Sequence, residues 1–557
     1  MKRFILICLS FSILLVSACA TRTQVDALVG PDAIGSLRNI EIRNIIFMIP
    51  DGMDANGVTL ARWFGAFDPQ TDHVNLDFRL YMDYLISGQI RSYWTDGFII
   101  GPISDSAPAA TAMATGRLTN NRHIGVTPDG VPVANVLQAA RHLGKSTGLI
   151  ATSNIQHATP AGFSAHHVER NRYDIIGEQQ VYGNIDVVFG AGLTMIATEF
   201  SSANHLGRRD GENLLETLSE RGYHFVSTRD EMMAVTEGRV WGMFAPGQFM
   251  LNEIDRHLMP AQPSLPEMTT QAIQLLSQNE RGFFLMVEGS KIDWAAHGNE
   301  PVALISEILA FDQAVGAALD FARSCGRTMI IIASDHGTGG VTMGDRATDH
   351  TYHSDPVSRF IAPLAQARGS FESVFFMALG GQTDVQAMMY SVFGIDNLSA
   401  GEIQAIAAVL GNFIALRDTI GAIVSSRANI GWTTGGHVGS DPTFYSFLPG
   451  NRRLVGLFSL TDMARIVESS WDVNLGELSS MLFNDALYIF RARGADVSID
   501  SSVPSSAVMT VRRGTDVLAI PENKDYVYFN GVRHYSTINV FSVGTFFVNE
   551  GVLALLQ

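Results

Sequence analysis

Residues 44–52 read Asn44-Ile-Ile-Phe-Met-Ile-Pro-Asp51-Gly52, an unbroken apolar run that stops at an acid and a glycine. The pattern recurs three times. Thr147-Gly-Leu-Ile-Ala-Thr leads to Gln156-His157-Ala-Thr159-Pro160, Phe283-Phe-Leu-Met-Val to Glu288-Gly289, and Thr328-Met-Ile-Ile-Ile-Ala to Ser334-Asp335-His336-Gly337. Apolar runs without alternation suit strands buried on both faces, as in a parallel sheet covered by helices. A helix is predicted between the last two, with Asn299 as its cap, Pro301 in its first turn, and Leu304, Ile308, Phe311 and Val315 along one face. The expected fold is therefore α/β, a mostly parallel central β-sheet flanked by helices. In such sheets the site lies beyond the carboxyl ends of the strands. Here four strands end in oxygen or nitrogen ligands, which defines one polar rim.

Composition narrows the class. The 557 residues are 46% hydrophobic and 17% charged, too apolar for a disordered chain, and 52 Gly with 19 Pro are too few for a collagen-like one. Fifty-five acids against 38 bases leave a net charge of -17. That excess argues against nucleic-acid or anionic-membrane binding through bulk charge, and fits an enzyme that binds cations. At the N-terminus, Lys2 and Arg3 precede the apolar run Phe4–Val16, which is short for a membrane span but suits a secretory signal. Val16-Ser17-Ala18-Cys19 resembles the lipobox of bacterial lipoproteins, with a plain signal peptide as the alternative. We expect a lipoprotein signal peptide over 1–18, a lipidated tether over 19–43 anchored at Cys19, and export to the periplasm or cell surface. With Cys19 acylated, Cys325 is the remaining thiol and no intrachain disulfide is expected. No second membrane segment is expected.

The rim residues are informative jointly. A lone Asp-Gly after a strand is usually a turn, and a lone His is usually a hydrogen-bonded surface or core residue. No turn explanation covers Asp51, Glu288, Asp293, His297, Asp335, His336 and His437 together. Asp293 and His297 stand i,i+4, on one face if a helix starts near Ile292. Mixed carboxylate and imidazole ligands suit Zn, and carboxylate with hydroxyl suits Mg. Ser106, in Ser104-Asp105-Ser106-Ala107-Pro108, precedes a run of small residues that reads as a helix opening. Free N–H groups there favour an anion, and an ordinary N-cap is the alternative.

These motifs together resemble the alkaline phosphatase family. Asp51-Gly52, Asp105-Ser106-Ala107, Glu288-Gly-Ser-Lys-Ile-Asp293-Trp294-Ala-Ala-His297, Ala333-Ser-Asp335-His336-Gly and Gly435-Gly-His437-Val-Gly occur in the family's order. The resemblance implies a catalytic domain over 44–476 that hydrolyses small phosphate monoesters through a phosphoserine at Ser106. It implies two Zn ions, one on Asp293, His297 and His437, the other on Asp51, Asp335 and His336. It further implies one Mg on Asp51, Thr159 and Glu288, and Arg170 as the phosphate clamp, with Arg172 its only rival. His157 and Trp294 depart from the enterobacterial pattern and resemble cold-active marine enzymes. The His places the third metal's ligation in question, through water or directly. A phosphodiesterase or sulfatase of the same superfamily is the runner-up, and a non-catalytic phosphate- or metal-binding surface lipoprotein a third reading. The resemblance is also compatible with a homodimer.

Outside the motifs, an insertion over roughly 345–430 carries His350 and His353, read as extra ligands or as a solvated loop, and a helical pattern around Glu402–Ile414. The core is expected to close with a helix over Thr461–Ser470. Residues 477–557 read as a small β-rich C-terminal appendage with a hairpin at Asn530-Gly531.

Overall fold

The structure is a computed structural model describing residues 27–197, 208 and 210–556, so the expected signal segment and Cys19 lie outside the described residues. Eleven strands form one sheet. They are β1 (Ala27–Val29), β2 (Asn44–Ile49), β3 (Ile86–Arg91), β4 (Ser146–Asn154), β5 (Val187–Ala191), β6 (Tyr223–Val226), β7 (Arg239–Met243), β8 (Phe283–Glu288), β9 (Thr328–Ala333), β10 (Thr443–Phe447) and β11 (Arg453–Ser459). The spatial order is β1-β11-β3-β10-β9-β2-β8-β4-β5-β7-β6, and every strand except β10 runs the same way. The apolar runs are explained by two cores. In β2, Ile46 and Met48 enter the core on one face, while Ile45, Phe47 and Ile49 enter the core on the other. The four runs singled out in the sequence are β2, β4, β8 and β9. They are consecutive neighbours in the sheet, so their carboxyl ends form one continuous edge.

Eight helices position the site or cover the sheet near it: α1 (Ser106–Thr115), α2 (Ala158–Gly162), α3 (Tyr173–Tyr182), α4 (Lys291–His297), α5 (Pro301–Cys325), α6 (Phe371–Leu379), α7 (Phe413–Ala428) and α8 (Leu460–Trp471). The expected helix after β8 is α5, but its cap is Glu300, whose side chain accepts from the Ala303 N–H at 2.6 Å. Asn299 instead takes a left-handed φ of 49° and closes the turn out of α4, its N–H donating to the Ala296 carbonyl. By length and composition α5 is apolar enough to cross a membrane, yet most of it is buried as a core helix against the sheet. Helix α8 covers the expected 461–470 segment.

Three boundaries differ from expectation. Residues 27–43, expected as part of the tether, belong to the folded unit: β1 joins the sheet edge, and the 3-10 helix Pro31–Asn39 buries Ile34 and Leu37 against α8. Two apolar residues three apart are too short a pattern to register as periodicity. Within the insertion, the pattern around Glu402–Ile414 spans a break: one helix ends at Ala407 and α7 begins at Phe413, capped by Asn412. Apolar residues on both sides of the break imitate one continuous face. The insertion is helical, and its Ile361, Val374, Met388, Ile406 and Leu416 join the core on one face of the sheet. Finally, residue 477 falls inside the helix Leu475–Leu482, and a separate core begins at Ala486. That core includes Phe490, Met509, Val511, Leu518 and Phe546. It packs against an antiparallel sheet of β12 (Asp496–Asp500), β13 (Val508–Arg513), β14 (Asp516–Pro521), β15 (Tyr526–Phe529) and β16 (Val532–Tyr535). The expected hairpin joins β15 to β16, with Asn530 and Gly531 at φ 51° and 82°, as a two-residue turn of that type requires.

Candidate metal centre and active site

The edge formed by β9, β2, β8 and β4 gathers the predicted residues. Asp51 follows β2, Glu288 ends β8, Asp335 and His336 follow β9, and His157 and Thr159 follow β4 at the start of α2. Three groups of donor atoms result, each within 4.8 Å: Asp293, His297 and His437; Asp51, Asp335 and His336; and Asp51, His157 and Glu288. Asp51 belongs to two of them. Gly52 permits this closeness, because a Cβ there, at φ +70°, would meet Asp293 Oδ1 at 2.6 Å.

The first group is assembled from distant parts of the chain. Asp293 and His297 share one face of α4 as their spacing predicts, with His297 Nε2 3.4 Å from Asp293 Oδ2. His437 reaches them from a short strand that pairs beside Gly337–Thr338. Backbone carbonyls fix both rings: His297 Nδ1 faces the Gly435 carbonyl at 2.6 Å and His437 Nδ1 the Ser104 carbonyl at 2.7 Å. Each Nε2 is thus left toward the site, the arrangement that metal-binding imidazoles use. Thr338, which sequence reading missed, donates to Asp293 Oδ1 at 2.6 Å and lies 3.2 Å from His336 Nδ1. Its only signal was its place one residue beyond the Ser334–Gly337 motif.

Buried donors without partners test whether cations belong here. Asp51 Oδ1 and Oδ2, Glu288 Oε1 and Oε2, Asp335 Oδ2 and Thr159 Oγ1 are all buried and have no hydrogen-bond partner. Stranding one such group costs about 1–3 kcal/mol. Burial, and then the charges of Asp335, Asp293 and Glu288, raise the Asp51 carboxyl well above its ordinary range. Burial pushes Glu288 up to about 8. Carboxylates arranged so that each opposes its neighbour's ionisation are matched by a cation held between them. The donor set fits Zn in the group of Asp293, His297 and His437 and in that of Asp51, Asp335 and His336, and Mg where Asp51 and Glu288 meet Thr159.

Ser106 is the first residue of α1, buried, with its Oγ 3.2 Å from His336 Nε2. Arg170 ion-pairs with Asp105 and places Nη2 3.0 Å from His157 Nε2. Arg172 turns away, donating to Asp174 at 3.0 Å and to Ser505 of the appendage at 2.7 Å, so Arg170 alone reaches the site. Asp105 was left out of the sequence-based set. Its signal was adjacency to Ser106, and it ion-pairs with the Arg170 guanidinium. Burial, reinforced by the Arg170 charge, pushes His157 down to about 3 and keeps the ring neutral. His350 and His353 are exposed and belong to none of the donor groups found among the described residues.

A cavity of about 650 Å³ opens onto these groups and is lined by Ser106, Arg170, His157 and His437 on the catalytic side. A covered parallel sheet that presents metal-type donors, a helix-start serine and an arginine at adjacent strand ends defines a metallohydrolase of phosphate esters. The alkaline phosphatase family profile matches residues 42–472, and the chain belongs to that family. It is 35% identical over 434 residues to alkaline phosphatase 4 of Bacillus subtilis, covering 77% of this chain and 88% of that one. Its fold is similar to the crystal structure of a cold-active alkaline phosphatase from a psychrophilic Shewanella species. That match has a TM-score of 0.66 at 27% identity, over 77% of this chain and 99% of that one. The Thermus thermophilus alkaline phosphatase structure aligns with a TM-score of 0.68 at 26% identity, over 82% and 96% of the two chains. The protein is a phosphoric monoester hydrolase, so the phosphodiesterase, sulfatase and non-catalytic readings fall away.

Proposed function

We propose that the enzyme works with two Zn ions and one Mg, and passes the phosphoryl group through Ser106. The observation that carries the reading is the convergence of unpartnered buried oxygens from Asp51, Glu288, Asp335 and Thr159 at one sheet edge. Asp293, His297 and His437 would hold the first Zn, Asp51, Asp335 and His336 the second, and Asp51, Thr159 and Glu288 the Mg. Bound there, the ions supply the Lewis acidity that makes a hydroxyl nucleophilic near neutral pH and offsets the charge of a phosphate dianion.

The chain's own residues do the rest. Long-range attraction cannot bring a dianion to a protein of net charge -17, so short-range positive charge must. Arg170 offers its fork to two phosphoryl oxygens. Ser106 Oγ attacks phosphorus, the bond to the ester oxygen breaks, and the alcohol departs with a proton. Water then attacks the phosphoserine, the Oγ–P bond breaks, and phosphate leaves. His157 Nε2 accepts from Arg170, whose guanidinium only donates, so in the neutral ring Nδ1 carries the proton. His157 then acts on the third site as a donor, through water, and not as a direct ligand. Metal analysis tests the assignment: Ser106→Ala should retain two Zn and one Mg per chain, and Glu288→Gln should lose the Mg. A Glu288→Gln protein with full Mg content would refute the third site.

We also propose, from the N-terminal sequence, a lipid anchor at Cys19 that holds the exported enzyme on a bacterial membrane. Cys19→Ser should move it to the soluble fraction, and continued membrane association would refute the anchor. A homodimer is proposed from the family resemblance, and light scattering that returns a single-chain mass would refute it.

A further inference from the structure

The insertion supplies a wall of the catalytic cavity that phosphoryl chemistry does not require. Rings run in contact away from the phosphate clamp: His157 to Trp294 at 5.7 Å between centroids and Trp294 to Phe249 at 5.2 Å, both edge-on, and Phe249 to Phe413 at 5.4 Å, tilted. Phe413 opens α7 and is backed by Phe371 at 4.8 Å and Phe375 at 5.1 Å. Trp294, Phe249, Phe413 and Ile414 all line the cavity that contains Ser106 and Arg170. At its lip Ile414 is 53% exposed, so this wall has apolar surface beyond what folding buries.

The wall is also electrically quiet. Lys291, the ammonium nearest to it, donates to Glu372 at 2.6 Å and to the Met250 carbonyl at 3.1 Å while lying 4.4 Å over the Phe249 ring. The Arg417 guanidinium is paired with Asp418 at 2.8 Å. Lys291 and Arg417, the cations that line this side of the cavity among the described residues, are thus already paired, whereas a flat apolar group would meet ring faces and edges.

We propose that Phe249, Trp294, Phe413 and Ile414 form a leaving-group subsite that selects phosphate monoesters of uncharged aromatic alcohols. The proposal rests on the phosphomonoesterase reading and names the substrate class of that same site. Contact with one ring face removes about 50 Å² of apolar surface from water, which corresponds to about a tenfold gain in kcat/KM.

The test compares 2-phenylethyl phosphate with ethyl phosphate, whose leaving alcohols have similar basicity, so that the ring alone differs. The wild-type enzyme should prefer the phenylethyl ester by about tenfold in kcat/KM. Phe413→Ala should reduce that preference to about twofold, and Phe413→Leu, which keeps an apolar contact, should retain most of it. Because Phe413 also packs on Phe371 and Phe375, Ile414→Ser at the exposed lip serves as the variant that spares the interior, and it should roughly halve the preference. A wild-type preference near one, or a preference that survives both Phe413→Ala and Ile414→Ser, overturns the proposal. Failure of the wild-type enzyme to hydrolyse either ester would overturn the phosphomonoesterase reading instead, so the two failures are distinguishable.

Discussion

Removing the metal ions should lower the melting temperature by up to about 6 °C, from repulsion among carboxylates that the fold has already brought together. Asp51, Glu288 and Asp335 are completely buried, and Asp51 shares a group of donors within 4.8 Å with each of the other two. At that separation and an effective dielectric near 20, two unit charges repel by about 3.5 kcal/mol, so the two pairs made by Asp51 amount to about 7 kcal/mol. The roughly 520 described residues unfold with an entropy near 1.1 kcal/mol/K, and the ratio of the two gives the shift. The assay is a thermal melt of chelator-treated protein against the same sample with Zn and Mg restored. It is run near pH 9, where Glu288, raised to about 8, takes little proton; Asp51, itself raised well above its ordinary range, relieves the repulsion wherever it is protonated, so about 6 °C is an upper limit. Asp51→Asn supplies the internal check. It should melt above the wild type when both are metal-free and below it when both are loaded, because one carboxylate is the source of repulsion in the first state and a ligand in the second. Metal-free wild-type protein, verified by elemental analysis, that melts with the loaded enzyme would refute the reasoning, as would Asp51→Asn lowering both temperatures.

Other perturbations probe separate parts of the structure. Asp105→Asn removes the charged partner of Arg170, and should raise the inhibition constant of inorganic phosphate about tenfold as the guanidinium loses its orientation; an unchanged constant contradicts that role. Glu307, fully buried on α5, is pushed up to about 8 by desolvation. Its folded value exceeds the unfolded one, so the native state holds a proton that the unfolded chain has lost between about pH 4.5 and 8, and stability falls as pH rises through that window. Glu307→Gln should flatten the decline in denaturant midpoint from pH 5 to 8, and an equal slope in both proteins counts against it. Lys524 of the appendage shares the buried Glu178 of α3, and Glu212, with Arg208, so Lys524→Met leaves both carboxylates to one guanidinium and should cost about 1–3 kcal/mol. Limited proteolysis would detect the loosened appendage, and unchanged protection would contradict the estimate of its role.

The catalytic edge was legible because Asp51, Glu288, Asp335 and His336 stand at or within a few residues of the end of an apolar strand, and a buried parallel strand is among the clearest patterns a sequence carries. β2, β4, β8 and β9 were visible for that reason, and the Asp293/His297 pair followed from helical spacing. That these strands are adjacent was not legible, since order within a sheet depends on crossovers and not on local pattern. Thr338 and Asp105 escaped for a different reason: a hydroxyl that orients a carboxylate, or a carboxylate that orients a guanidinium, has no signature until its partner is placed. Arg170 and Arg172 were indistinguishable in sequence, and Ser505, more than three hundred residues away, separates them by engaging one. The break before Phe413 was hidden because apolar residues continue across it, which also concealed the aromatic wall.

The central claim is that Ser106 carries the phosphoryl group. Turnover of p-nitrophenyl phosphate quenched in acid, followed by peptide mass spectrometry, tests it directly. The account predicts phosphate on the peptide containing Ser106 in the wild-type protein, none in Ser106→Ala, and a fall in Ser106→Ala activity of roughly three orders of magnitude or more at unchanged metal content. Ser106→Ala that retains full activity, or turnover with no phosphorylated Ser106 peptide, would contradict it.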